Sequence, residues 1–252
     1  MRREPWCLFI ASSIPRQSVC NLWAAPDGCE FCAIAGELAE NGAKLVLNAR
    51  NASRLDRIVR DIGGENAVGF AGDCSDPAVA RAVAQVALDT FGTISAVVPN
   101  AGIGRYGSVL DWSDDEINEM MRTNFEGTVH IVRACLPTMI GRQRGDVVIV
   151  SSVAGFRGGG DEAIYAGTKH AQVGFAGGLD REMREKGVRV ALVCPAGTET
   201  EFAIGAGRSV GDPLLGTYLR PDDVAFQIVT ILRQPLKVRT HIWTLWSMGQ
   251  QS

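Results

Sequence analysis

The stretch Lys44–Gly72, KLVLNARNASRLDRIVRDIGGENAVGFAG, contains two short apolar segments separated by a helical pattern. The first segment, KLVLNA, and the second, AVGFAG, are rich in residue types that favour β-strands. Asn51 stands directly before the segment ASRLDRIVRDIGG, where a helix N-cap is expected. A strand, a helix and a second strand in this order are typical of a parallel sheet covered by helices.

The same alternation continues to the end of the chain. The further strand candidates are ISAVVPNAG from Ile94, DVVIVSS from Asp146, RVALVCPAG from Arg189 and THIWTLW from Thr240. An earlier strand, either CLFIA from Cys7 or CNLWAA from Cys20, is expected before a helix at Ala33–Gly42. Nearly continuous apolar strands suit a sheet that is buried on both faces. The sequence therefore predicts an α/β fold of the Rossmann type, with a doubly wound, mostly parallel sheet of about seven strands and helices on both faces.

Composition restricts the class of partner. A chain of 252 residues with 46% hydrophobic content can form one domain, which we expect to span residues 1–252. Its 25 basic and 28 acidic residues are scattered, so no surface for nucleic acid or for an anionic membrane is predicted. The apolar run Trp6–Ala11 is shorter than a signal-peptide core, and no run reaches the length of a membrane span. A small-molecule partner is the expectation.

The 7 cysteines are an odd number, and several lie in apolar runs, which indicates a reducing, cytoplasmic compartment. Cys29 and Cys32 form a C-x-x-C pair, but no second pair completes a tetrahedral zinc site, and no metal is expected. The pair is either a redox site, because a helix N-terminus stabilises a thiolate, or two unrelated thiols at the start of a helix.

Polar residues that could carry chemistry follow the predicted strands. Tyr165 and Lys169 are four residues apart on a helical pattern and therefore share one face. An ammonium group near a phenol favours the phenolate, which suits a tyrosine general acid or base. Ser152 ends a buried strand, where its hydroxyl could stabilise a developing alkoxide, and Asn124 is a poor helix former inside a long helical pattern.

Taken together and in this order, these motifs resemble the short-chain dehydrogenase/reductase (SDR) family. The matching segments are PNAG (Pro99–Gly102), NFEG (Asn124–Gly127), VIVSSVAG (Val148–Gly155), YAGTK (Tyr165–Lys169) and PAGTETEF (Pro195–Phe202). The resemblance covers roughly Ile34–Gln234. It implies an NAD(P)-dependent oxidoreductase that transfers hydride between a nicotinamide and a secondary alcohol or ketone. It also implies a homodimer or homotetramer.

The resemblance assigns a role to each matching residue. Tyr165 would exchange a proton with the substrate oxygen, Ser152 would orient that oxygen, and Lys169 would lower the Tyr165 pKa and bind the nicotinamide ribose. Asn124 would hold a water that leads from Lys169 to solvent. Arg50 favours NADP over NAD, because a cation can pair with a 2′-phosphate. The remaining cofactor contacts would be Asp73 at the adenine, Asn100, Ala101 and Gly102 beneath the cofactor, and Pro195 and Thr200 near the nicotinamide.

The first 32 residues depart from the family, whose phosphate loop carries glycines that let the backbone approach a pyrophosphate. In a gapless register those glycines would fall at Ala25, Cys29 and Phe31. Either the loop is rebuilt, with FIASS from Phe9 and an insertion to about Cys29, or the segment is foreign to the fold and poorly packed before about Ala33. Weakened pyrophosphate binding is expected in both cases. The alternative function is a scaffold or regulatory binding protein that has lost its cofactor.

Substrate identity is poorly encoded in the sequence. The segment Glu201–Leu219, EFAIGAGRSVGDPLLGTYL, is rich in glycine and mixed with apolar residues. Such a composition after a strand that ends at the ligand edge predicts a substrate lid.

Overall fold

The computed structural model describes residues 6–10 and 29–250 of the chain. Its strands are β1 (Trp6–Ile10), β2 (Leu45–Ala49), β3 (Ala67–Ala71), β4 (Ala96–Val98), β5 (Gly145–Val150), β6 (Val188–Pro195) and β7 (Ile242–Leu245). Its α-helices are α1 (Glu30–Glu40), α2 (Ala52–Ile62), α3 (Pro77–Phe91), α4 (Asp114–Met121), α5 (Gly127–Gly141), α6 (Ala163–Met183) and α7 (Pro221–Arg233). The strands form one sheet in the order β3-β2-β1-β4-β5-β6-β7, so the predicted α/β class and sheet are confirmed.

Two hydrophobic layers cover the sheet. Successive residues of one strand face opposite layers, as Val148 and Ile149 of β5 do. Helices α1, α2 and α7 pack in one layer, and α3, α5 and α6 pack in the other. No α-helix in the described part of the chain is both long and apolar enough to cross a membrane.

Strand β1 lies where the first strand was expected, but it runs in the opposite direction. It is antiparallel to both β2 and β4, whereas every other strand pair in the described sheet is parallel. Trp6 pairs with Ala49 at the end of β2, and Ile10 pairs with Leu45 at its start. The chain therefore leaves β1 at the edge opposite the one where the parallel strands end. A rebuilt family turn at the FIASS segment does not fit this direction, and Ala11, Ser12 and Ser13 of that segment lie outside the described residues.

Helix α1 begins three residues earlier than predicted, at Glu30 instead of Ala33. Phe31 and Cys32 are only 2% and 3% exposed, because both belong to the hydrophobic layer that α1 shares with α7. The expectation of poor packing before Ala33 is thus wrong for these two residues. Gly42 has a φ of +81° just after the helix, and this left-handed conformation, which favours glycine, ends the helix there.

The long helical pattern around Asn124 is divided by a π-helical segment, Arg122–Glu126, that joins α4 to α5. A π-helical turn accommodates one extra residue, and such turns are frequent at functional sites. The turn places Asn124 in the interior of the protein, next to the start of α6.

Candidate active site

A cavity of about 1270 Å³ opens at the edge where the parallel strands end. Its walls come from the end of β5, the start of α6, the segments after β4 and β6, and the start of α1. Seven of the predicted site residues line it, namely Asn100, Gly102, Ser152, Tyr165, Lys169, Pro195 and Thr200. The other four lie outside its lining, namely Arg50, Asp73, Ala101 and Asn124.

Tyr165 is buried, and its ring lies 5.8 Å from the ring of Tyr106 and 5.6 Å from that of Phe202, centroid to centroid. The Ser152 hydroxyl accepts a hydrogen bond from the Ala154 N–H (3.1 Å) and is 3.4 Å from the Pro195 carbonyl oxygen. Burial raises the pKa of Tyr165 well above its ordinary value, while the hydrogen bond with Ser152 acts in the opposite direction. Tyr165 is therefore neutral near pH 7 and carries a proton that it can donate.

Lys169 is only 4% exposed. Its Nζ donates to the Val150 carbonyl oxygen (3.3 Å) and to Gln172 Oε1 (3.1 Å), and it lies 5.7 Å from the centroid of the Tyr165 ring. Burial lowers the pKa of Lys169 to about 8, although the charge of Glu30 opposes the shift. Desolvation of the phenol dominates the Tyr165 pKa, and the role of Lys169 in lowering that pKa stays a prediction.

Asn124 joins the segment after β4 to helix α6. Its side chain accepts from the Ile103 N–H (2.8 Å) and donates to the Ile103 carbonyl oxygen (2.9 Å) and to Thr168 Oγ1 (3.0 Å). Its backbone carbonyl accepts from Gln172 Nε2 (2.7 Å) and from Thr128 Oγ1 (2.8 Å). All of the hydrogen-bonding groups of the Asn124 side chain are thus used in holding these elements together.

Gln172 connects Lys169 to Asn124 directly. Its Oε1 accepts from Lys169 and its Nε2 donates to the Asn124 carbonyl, at the distances given above. The role given to Asn124, holding a water that leads from Lys169 to solvent, stays a prediction; in the structure the fully buried side chain of Gln172 lies between Asn124 and Lys169. Sequence analysis missed Gln172 because a glutamine in a helical pattern carries no signal by itself. Its spacing of three residues from Lys169 on one helix face is the clue that could have identified it.

The start of α1 forms the wall of the cavity where the family has its glycine loop. Glu30 is half-buried there, and burial raises the pKa of its carboxyl to about 7 against the charges of Lys169 and Arg208. In the gapless register Phe31 takes the place of a glycine, but its side chain packs in the hydrophobic layer shared with α7. The carboxylate of Glu30 does not fit a pyrophosphate, because both are negatively charged, whereas the phenol of Tyr165 and the ammonium of Lys169 are groups that could hold a nicotinamide ribose.

The C-x-x-C pair is part of the same wall. Cys29 is the N-cap residue of α1 and lines the cavity, and the side chains of Cys29 and Cys32 are both buried. The pKa of Cys29 is lowered, chiefly by a hydrogen bond with the Cys32 side chain. Among the residues that the structure describes, no group of three or more His, Cys, Asp or Glu side chains could hold a metal ion. Both the redox interpretation and the purely structural one remain compatible with this geometry.

The two residues predicted to contact the adenosine end are engaged with the protein. Arg50 lies 3.6 Å from Glu119 in an ion pair, and Glu119 also pairs with Arg105 at 2.8 Å. Asp73 accepts a hydrogen bond from the Ser75 N–H (2.9 Å) just after β3. Arg50 follows β2, so both residues lie at the ends of neighbouring parallel strands.

A sequence profile described as short chain dehydrogenase matches residues 32–209, which is more than half of the chain. The chain belongs to this family. The match begins at Cys32, so it leaves out the segment that departs from the family's phosphate loop. An uncharacterized oxidoreductase of Staphylococcus aureus (strain MW2) is 30% identical over 209 residues, which cover 83% of this chain and 88% of the relative.

Two solved structures of oxidoreductases have the same fold. An alcohol dehydrogenase from the archaeon Thermococcus sibiricus, complexed with 5-hydroxy-NADP, superposes with a TM-score of 0.79 at 27% identity, covering 90% of this chain and 94% of that one. A metagenomic short-chain oxidoreductase in complex with NADP has a TM-score of 0.72 at 26% identity, with 87% and 92% of the two chains covered. The sequence-based assignment to the family is therefore confirmed.

The contact between Gln172 and Lys169 gives a first prediction. In Gln172→Leu the ammonium group loses a buried acceptor, so the pKa of Lys169 should fall below its value of about 8. In Gln172→Glu a carboxylate replaces that acceptor, and the pKa should rise. A ¹³C NMR titration that follows the Lys169 Cε resonance measures both shifts. An unchanged Lys169 pKa in both variants would contradict the role given to Gln172.

The half-buried carboxyl of Glu30 gives a second prediction. Its pKa is about 7 in the folded chain and 4.5 as the reference value, so the folded state holds the proton more tightly between these pH values. Stability should therefore fall as the pH rises from about 4.5 to about 7, by on the order of 1–2 kcal/mol after allowance for partial exposure. Glu30→Gln should remove this loss and raise the melting temperature above pH 7 by a few degrees.

Thermal unfolding from about pH 5 to about pH 9 measures this effect. Glu185→Gln is the matched control, because it removes an exposed carboxylate that does not line the cavity. Parallel stability curves for wild type and Glu30→Gln across this range would count against a raised Glu30 pKa.

Proposed function

We propose that this protein is an NAD(P)-dependent oxidoreductase that interconverts a secondary alcohol and a ketone. The observation that carries the proposal is the joint placement of Tyr165, Ser152 and Lys169 at one wall of a cavity, with the Lys169 Nζ 5.7 Å from the centroid of the Tyr165 ring. Membership of the short-chain dehydrogenase family supports it. The substrate is a small molecule that enters this cavity.

The chain's own residues supply the proton and the orientation. When bound, a nicotinamide cofactor supplies or accepts a hydride at the substrate carbon. Ser152 donates a hydrogen bond to the substrate oxygen, and Tyr165 donates its proton to the same oxygen as a carbonyl is reduced. Lys169 holds a positive charge behind the tyrosine and stabilises the phenolate that remains. The neutral state of Tyr165 suits reduction, because that direction starts from a protonated phenol.

NADP is proposed as the cofactor in preference to NAD. Of the two solved structures described above, one is a complex with NADP and the other with 5-hydroxy-NADP, and Arg50 follows β2, where a cation suits a 2′-phosphate. Asp73, Asn100, Ala101, Gly102, Pro195 and Thr200 are the proposed further contacts, in the roles given above. The Arg50–Glu119 ion pair would have to open or shift to release the guanidinium for such a contact.

A second candidate function is a scaffold or regulatory binding protein that has lost its cofactor. Phe31 and Glu30 favour this candidate, because in the gapless register Phe31 takes the place of a glycine and Glu30 adds a carboxylate to the same wall. The charge of Glu30 also acts on Lys169 and Tyr165. The two candidates differ in cofactor affinity, because Tyr165, Ser152 and Lys169 can carry out proton transfer to a substrate only when a nicotinamide is bound.

Two further expectations stay proposals. Residues 201–219 contribute several side chains to the cavity, which supports a lid over the substrate. A homodimer or homotetramer is proposed by analogy with the family, whose members often assemble through two long helices and the final strand of the fold. Trp243 and Trp246, near the end of the chain, would suit burial in such an interface. Both are already half-buried in the single chain, so neither presents a fully exposed side chain for the interface to cover.

The role of Tyr165 predicts a loss of activity without a loss of binding. Tyr165→Phe should lower the rate of NADPH-dependent ketone reduction by about 10²–10⁴-fold, because the proton donor is removed while the ring contacts remain. Ser152→Ala should lower it by about 10²–10³-fold. Steady-state kinetics measures both losses. The affinity for NADPH should stay within a factor of about two of wild type, and full activity of Tyr165→Phe would refute the proposed chemistry.

Cofactor affinity is predicted to be limited by Glu30. At about pH 8, Glu30→Gln should bind NADPH several-fold more tightly than wild type, because removal of a charge at intermediate distance is worth about 1 kcal/mol. Fluorescence titration with NADPH and with NADH measures the affinities and also tests the proposed preference for NADP. Glu185→Gln serves again as the control. Tight NADPH binding by wild type that Glu30→Gln leaves unchanged would contradict the view that this wall opposes the phosphates.

A further inference from the structure

Arg208 projects from the segment Glu201–Leu219 into an aromatic part of the cavity. Its guanidinium carbon lies 5.3 Å from the ring centroid of Tyr218, 5.8 Å from that of Phe202 and 5.9 Å from that of Tyr106. Its Nη1 donates to the Thr198 carbonyl oxygen at 3.2 Å. The guanidinium is thus oriented by three rings and one backbone acceptor, and it is half-buried.

The charge of Arg208 is not neutralised by an ion pair with any residue in the ranges 6–10 and 29–250. Two other arginines of the cavity differ from it, since Arg54 pairs with Glu201 at 3.7 Å and Arg105 pairs with Glu119 at 2.8 Å. Arg157 also makes no ion pair in the described chain, but it is exposed and lies on the Trp246 ring. Arg208 therefore differs from these other arginines: it is partly buried, and its guanidinium has N–H donors that are not used in an ion pair within the described residues and can bind an anion.

Arg208 and Tyr165 are linked through shared aromatic neighbours. The rings of Tyr106 and Phe202 each lie within 6 Å of the Arg208 guanidinium carbon and within 6 Å of the Tyr165 ring centroid. The charge of Arg208 also acts on Tyr165, since it opposes the rise in the Tyr165 pKa that burial causes. A ligand that reaches Tyr165 at one end can reach Arg208 at the other, with an apolar spacer against the two rings.

We propose that the substrate is a keto acid, or the corresponding hydroxy acid in the reverse direction, whose carboxylate pairs with Arg208 while its carbonyl oxygen meets Tyr165 and Ser152. A guanidinium can bind a carboxylate through two parallel hydrogen bonds, and a low-dielectric aromatic surround strengthens that pair. This inference rests on the proposed function.

The reaction leaves the carboxylate unchanged. The carbonyl group becomes a hydroxyl-bearing carbon by gaining a hydride at carbon, from a reduced nicotinamide that is thereby oxidised, and the proton of Tyr165 at oxygen. Arg208 takes no part in these bond changes. It determines which ketones are held with their carbonyl at Tyr165, so its removal should discriminate between charged and neutral substrates of the same shape.

Matched substrates test the proposal on the full-length chain with NADPH. The probes are 3-oxobutanoate, 4-oxopentanoate and 5-oxohexanoate, each compared with its uncharged methyl ester. Wild type should have a kcat/KM for at least one acid that exceeds that of its ester by about 10-fold or more, since charge-assisted hydrogen bonds are the strong ones. Arg208→Gln should lower the kcat/KM for that acid by about 10–100-fold and leave the ester within about 3-fold.

Arg208→Lys should give an intermediate value for the acid, because it keeps the charge and loses the planar fork. Arg184→Gln is the matched control, since Arg184 is exposed and does not line the cavity. The NADPH affinity of Arg208→Gln should equal that of wild type.

Three results would overturn the proposal. An equal loss for acid and ester would mean that Arg208 only holds the segment Glu201–Leu219 in place. Weaker NADPH binding in Arg208→Gln would assign the guanidinium to a cofactor phosphate. Wild-type activity with esters but no preference for any acid would show that the cavity does not select a carboxylate.

Failure of the proposed function is a different result. If wild type reduces none of the probes, calorimetric titration of each keto acid against wild type and Arg208→Gln tests the carboxylate site without turnover. Binding that is lost in Arg208→Gln would retain the anion site while the oxidoreductase proposal fails. Equal binding, or no binding, in both proteins would overturn the site as well.

Discussion

The hydrogen bonds of Asn124 hold the catalytic edge of this protein in one arrangement. One buried residue links the segment after β4, through Ile103, to the helix that carries Tyr165 and Lys169, through Thr168 and Gln172. Buried polar groups of this kind are costly when they are unpaired, so the network is satisfied only when these elements are correctly placed. The position of the lysine relative to the tyrosine depends on this constraint. The cavity therefore has a rigid wall on the side where proton transfer is proposed.

The opposite wall is built differently. The start of α1 contributes Glu30 to the cavity and directs Phe31 into the hydrophobic layer shared with α7. Burial of Phe31 stabilises the start of this helix. Glu30 acts in the opposite direction, because keeping its carboxylate charged in a partly buried place costs stability. The proposed opposition to a phosphate group rests on the same carboxylate, so stability and cofactor binding are both limited by Glu30 at this point of the fold.

Much of the architecture could be predicted from the sequence because it depends on local patterns. The apolar strands and the Asn51 cap were identified from residue types alone, and the structure has them close to the expected positions. The direction of β1 could not be predicted, since a five-residue apolar strand carries no signal for direction. The motif residues of the site could be named for a similar reason, because the family motifs have fixed spacing.

The contacts that tune the site could not be predicted. Gln172 and Arg208 act through residues that are distant in sequence, Asn124 in one case and Tyr106 in the other. The pKa of Tyr165 depends on how completely the phenol is desolvated, which a Tyr-x-x-x-Lys motif does not encode. The burial of these side chains depends on residues that are distant in sequence, so it could be determined only from the structure.

The π-helical segment Arg122–Glu126 also limits how this region can vary in length. A π turn is equivalent to one residue inserted into an otherwise continuous helix from α4 to α5. Deletion of one residue there would let the helix become regular, with little cost to its own backbone. It would also rotate Asn124 away from Ile103 and α6. Substitution of exposed side chains in this stretch should therefore be tolerated far better than the insertion or deletion of a residue. The limit comes from the contacts of Asn124 and not from the backbone of the helix.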